Sequence, residues 1–166
     1  MTKFFLSVHV LAAIIAIGPV AVAASMFPAA VRRAVSDSGD GHDLAVPRML
    51  HRICRVYAVV GIAVPLLGFA TAGSLHVMGD TWVIVSIGLT AVAAGVLVVL
   101  VLPGQQSVLD GLTEPSPVPS AAPASLPSAL SARVPARLAM HAGTFNLLWA
   151  VVTVLMILRP GSTTGV

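Results

Sequence analysis

The chain has 166 residues, of which 57% are hydrophobic and only 9% charged, with a mean hydropathy of +0.99. Soluble domains carry about 25% charged residues, so this composition excludes a soluble globular protein. The net charge of +3 sits at the ends of apolar runs, where it acts as a topology signal, so no nucleic-acid partner is expected. The single cysteine, Cys54, excludes an internal disulfide and is read as a small packing residue.

The first apolar run covers about 4–28. It opens like a secretory signal, with Lys3 and an Ala21-Val22-Ala23 cleavage-like site. Signal cores run about 7–15 residues, and this run is much longer. Arg32 and Arg33 also follow it instead of preceding it. A spanning helix is therefore expected. The second, third and fourth runs cover about 53–72, 82–102 and 138–158. Each reaches the ~20 apolar residues needed to cross a bilayer. Spanning segments must pair their own backbone groups. These runs lack the alternation of barrel strands, so helices follow.

Gly18-Pro19 interrupts the first run and Pro65 the second. Each proline removes a backbone donor, and the kinks are expected to face neighbouring helices. Ser36–His42 reads as a polar, turn-rich loop without metal-binding spacing. The stretch 103–135, rich in Pro, Ser and Ala, reads as a flexible loop that cannot build a core. Small-residue stripes mark each helix: His9, Ala12, Ala16 and Val20 on the first, and His51, Cys54, Ala58, Gly61, Pro65 and Gly68 on the second. Ser86 and Thr90 on the third run and Asn146 and Thr153 on the fourth are expected to hydrogen-bond across helix contacts.

Arg32, Arg33, Arg48, Arg52, Arg55, Arg133 and Arg137 fall on one side of this arrangement, against Lys3 and Arg159 on the other. Positive residues favour the cytoplasm. Both termini are therefore expected to be extracytoplasmic, with 103–135 cytoplasmic. Tyr57, Trp82 and Trp149 suit interfacial anchoring.

Five histidines remain. His42 and His76 fall in expected loops. His9 lies inside the first run, ~8 Å deep at 1.5 Å per residue. An ionisable group there marks a functional site, and a hydrogen bond to a neighbouring helix is the structural alternative. His51 and His141 match in depth at the opposite end, where they could hold a haem or touch lipid headgroups. His9 and His51 cannot share an iron, being roughly 25 Å apart along the helix axis. No carboxylate lies in any run, which argues against a proton relay or a single-chain transporter.

The first run reads Phe4-Phe-Leu-Ser-Val-His9-Val-Leu-Ala-Ala, continuing through Gly18 and Pro28 to Arg32-Arg33. The last reads Phe145-Asn-Leu-Leu-Trp-Ala-Val-Val-Thr-Val-Leu-Met-Ile-Leu-Arg-Pro160. Together they resemble small bacterial integral membrane proteins in the superfamily of the copper-resistance protein CopD and the HemJ-type protoporphyrinogen oxidases. The HemJ-type resemblance implies haem b with His9 as its ligand, and the CopD resemblance implies copper handling; no metal beyond the haem iron is expected. The HemJ-type enzymes also use an intramembrane lysine, and the only lysine here is Lys3. The Met residues form no cluster for copper handling.

The expected architecture is a single all-α membrane domain over 1–166, a four-transmembrane-helix bundle in the plasma or inner membrane. The expected function is that of an integral membrane protein of this superfamily type, binding haem b through His9, with His51 and His141 as further ligand candidates. The alternative is a non-catalytic accessory or scaffold subunit of a larger membrane complex. Expected partners are the lipid bilayer and a second copy or another membrane-complex subunit.

Overall fold

The computed structural model describes residues 2–36, 43–113 and 128–160, with side chains from Lys3 onward in the first stretch and from Pro135 in the last. Among the described residues every regular element is helical. Four helical stretches are long and apolar enough to span a membrane: Lys3–Ser36, Ala45–Leu75, Thr81–Thr113 and Pro135–Leu158. The chain is a multi-pass membrane protein by length and composition. The loop expected at Ser36–His42 falls mostly outside the described residues, as do 114–127.

Helix α1 runs unbroken over Thr2–Ser36, with Pro19 and Pro28 inside it. It passes the expected end at residue 28, and Pro28 is buried against the bundle, where its crowded turn is supported by neighbours.

The second span divides into α2, Ala45–Val60, and α3, Ala63–Leu75. Pro65 causes the break four residues upstream of itself. It has no N–H for the Gly61 carbonyl, which instead accepts from the Val64 N–H at 3.1 Å, in a tightened turn. At the far end His76 takes a left-handed conformation, φ 58°. The His76 and Val77 N–H groups bond to the carbonyls of Gly73 and Ala72, each at 3.1 Å. This is a Schellman-type stop with histidine where glycine is usual.

The third span holds α4, Thr81–Gly95, a π-helical stretch, Val96–Val101, and α5, Leu102–Thr113. Pro103 accounts for the widened turn. It lacks the N–H that would serve Val99, so the next available donor lies five residues on, at the π spacing. The Leu102 N–H already follows that spacing, bonding to the Leu97 carbonyl. The expected loop over 103–135 therefore does not begin at Pro103, because the widened turn absorbs the proline and the helix continues to Thr113. Helix resumes at Ser128, in α6, Ser128–Leu158.

The spans form a closed ring in chain order. α1 packs on α2 and α3, α2 on α5, α4 and the π stretch on α6, and α6 on α1. The core between them is filled by Val20, Phe27, Cys54, Ala93, Leu97 and Phe145. Phe145 and Trp149 stack edge to face, with centroids 6.3 Å apart. The ring gathers Arg32, Arg48 and Arg137 at the end where α5 terminates. At the opposite end the Trp82 Nε1–H donates to Asp80 at 3.0 Å, and Arg159 lies 5.8 Å over the Trp82 ring. These contacts tie the start of α4 to the end of α6.

Most hydroxyls do not bond across helices as expected. Ser86, Thr144 and Thr153 donate to the carbonyls of Trp82, Met140 and Trp149, one turn back in their own helices. A local carbonyl satisfies a hydroxyl without requiring a partner helix. Asn146 is the exception: its Nδ2 donates to Ser25 Oγ of α1 at 2.9 Å.

Candidate functional site

The three candidate histidines occupy three different surroundings. His9 is 7% exposed and points from α1 at α3. A Cβ built on Gly68 would fall 3.1 Å from His9 Cε1, 3.6 Å from Nδ1 and 3.7 Å from Nε2. The missing side chain of Gly68 is what admits the imidazole. His9 Nδ1 is buried and has no hydrogen-bond partner among the described residues. The ring of His9 therefore packs directly against the α3 backbone at Gly68.

His51 is buried at the arginine-rich end, where its Nδ1 lies 3.1 Å from Gln105 Oε1. Gln105 is 1% exposed, and its Nε2 donates to Cys54 Sγ at 3.7 Å. With the amide in that orientation, Gln105 Oε1 accepts from a protonated His51 Nδ1. The ring borders a cleft of about 330 Å³ shared with Arg48, Asp110 and Thr113. Arg48 donates to Thr113 Oγ1 at 3.2 Å, and Gln106 donates to Asp110 at 2.7 Å.

His141 is half-buried on α6, and its Nδ1 is buried without a partner among the described residues. It borders a larger cleft of about 810 Å³ between α1, α5 and α6. Val31, Leu100 and Leu138 line its apolar wall, and Arg32 and Arg137 contribute the cations. α5 and α6 meet beside it, where a Cβ on Gly104 would come within 2.8 Å of Leu138 Cδ2. The volume lies within the roughly 300–1,000 Å³ of small-molecule pockets.

His51 and His141 thus border separate clefts. His42 lies outside the described residues, and His76 serves as an exposed helix cap. Among the described residues no group of three His, Cys, Asp or Glu side chains converges on a metal position.

Two contributors escape sequence reasoning. Gln105 falls in the expected loop, although Val101, Gln105 and Leu109 repeat at the four-residue spacing of a buried helix face. Arg32 and Arg137 read as topology signals alone; no feature of the sequence indicates that α1 and α6 bring them to one cleft. No family model matches the chain, and neither the curated proteins nor the solved structures contain a significant match.

Proposed function

We propose that this protein is a membrane-embedded binding protein whose ligand is an anionic amphiphile held in the cleft between α1, α5 and α6. One observation carries the reading. A large cleft with an apolar wall is lined by two arginines and the His141 imidazole. Apolar surface suits a hydrophobic body, and guanidinium groups suit carboxylate or phosphate. Haem b belongs to this class and is the ligand implied by the resemblance to HemJ-type proteins. His141, which lines the cleft, would hold it, with Arg32 and Arg137 available to its propionates. A bound haem would supply a redox-active iron; the chain's own contribution is to hold it and exclude water.

The protein is purified in mild detergent and titrated with haemin and with a fluorescent long-chain fatty acid. We expect saturable binding of at least one probe, weakened by Arg137→Gln. If haem is bound, His141→Ala should remove or shift the Soret band, while His9→Ala and His51→Ala leave it in place. A band abolished by His9→Ala alone would return the site to α1. Failure of both probes to bind, with partner proteins co-purifying, would favour the accessory-subunit reading.

We further propose that the arginine-rich end faces the cytoplasm, because seven of the nine basic residues lie on that side. A reporter fused after Val166 should report an extracytoplasmic location, and one inserted near Ser120 a cytoplasmic one. The reverse pair of results would overturn the orientation.

A further inference from the structure

We propose that the occupant of the cleft between α1, α5 and α6 is an acidic phospholipid from the surrounding leaflet. Its phosphate would sit on Arg32 and Arg137, with one acyl chain along Val31, Leu100 and Leu138. The inference rests on the reading of this cleft as an anionic-amphiphile site and narrows it to one ligand class.

The cleft has the shape of an acyl chain's bed. Along α1 its lining runs from Pro28 to Ser36, and along the third span from Leu100 to Leu112. At 1.5 Å per residue these stretches extend ~12 Å and ~18 Å. The cleft is therefore elongated along the helix axes, as an acyl chain lies in a leaflet. Polarity is graded along the same direction. Pro28 and Leu100 line the deep part, and Ser36, the last residue of α1, and Leu112, next to the end of α5, mark the shallow end, where headgroups lie.

The cations come from two different helices, α1 and α6, so they can flank one anion. Neither arginine has an ion pair or side-chain hydrogen bond with a described residue, whereas Arg48 in the smaller cleft is engaged by Thr113. His141 lies four residues beyond Arg137 on the same face of α6. Its imidazole lines the same cleft one turn deeper. Basic pockets between spanning helices on the cytoplasmic side suit acidic lipid headgroups, and the anionic leaflet supplies that ligand in excess. Arginine matches phosphate oxygens in a bidentate fork.

The test uses the full chain in detergent, with native mass spectrometry counting bound lipid. The probes are dioleoylphosphatidylglycerol, dioleoylphosphatidylcholine and inorganic phosphate. Arg32→Gln/Arg137→Gln is compared with Arg33→Gln/Arg52→Gln, which removes the same charge from the same end but outside the cleft. Gly111→Trp plugs the cleft without altering charge; Gly111 lines it and has open space around its Cβ position.

Phosphatidylglycerol should bind in preference to phosphatidylcholine. At roughly fivefold per arginine, the cleft pair should weaken it about 25-fold and the control pair much less. Gly111→Trp should weaken it as well. Equal losses in both arginine pairs would reduce the effect to general surface charge and overturn the proposal. Displacement by inorganic phosphate, with no effect of Gly111→Trp, would make this a free-phosphate site and also overturn it. Binding of haemin or fatty acid without a phosphatidylglycerol preference would overturn the lipid assignment and leave the broader reading standing. Failure of every probe would remove both.

Discussion

Replacing Gly68 by leucine should separate α3 from α1 and strongly destabilise the bundle. Helices in lipid gain little from apolar burial against one another, so close backbone approach at small residues carries much of their association. Gly68 is such a point, and what it admits is the His9 ring, with Cε1 3.1 Å from the Cβ position. A methyl group there is already tighter than ordinary contact, and a leucine would have to displace the buried imidazole. Overpacking of this kind costs about 1–3 kcal/mol. Gly68→Ala should fall at the low end and Gly68→Leu at or above the high end, read as loss of thermal stability in detergent. The discriminating result is the pair His9→Ala/Gly68→Leu. Removing the ring should restore much of the loss. A double variant as unstable as Gly68→Leu alone would show that some other neighbour opposes the leucine.

Gln105→Leu is the second large effect. It leaves the His51 Nδ1–H without its acceptor in a buried site, at a cost of about 1–3 kcal/mol. Measured couplings between membrane helices average nearer 0.6 kcal/mol, so the expected loss lies between the two. Replacing both partners by apolar residues can be nearly neutral. His51→Leu/Gln105→Leu should therefore recover most of the stability lost in Gln105→Leu. If the double variant is the less stable, the hydrogen bond is not what Gln105 supplies.

The four spans and the gathering of arginines at one end are legible in the sequence because both follow from composition along a single chain. Where the elements end is less legible. Pro65 predicts a kink in its helix, and the break appears at Gly61, because the lost bond belongs to the carbonyl four residues earlier. Pro103 predicts the start of a loop, but a proline can be carried through a helix by one widened turn, and nothing local announces which will happen. The sites themselves depend on rotation about each helix axis. His9 is visible as an unusual polar group, yet its contact with Gly68 requires that α1 and α3 face one another at those two residues. Arg32 and Arg137 stand more than a hundred positions apart, and their convergence is a property of the packed ring.

The π-helical stretch Val96–Val101 has an effect on azimuth. A widened turn takes up about one extra residue, and one residue in an α-helix is about 100° of rotation. Everything after it is phased differently from α4. Gly104 against Leu138 and Gln105 against His51 both lie immediately downstream, so both contacts inherit that phase. An unbroken α-helix would aim these two side-chain positions about a quarter-turn away, one losing its close approach to α6 and the other its histidine. The third span therefore behaves as two separately indexed helices, and the proline that forces the wide turn sets the angular origin of the second.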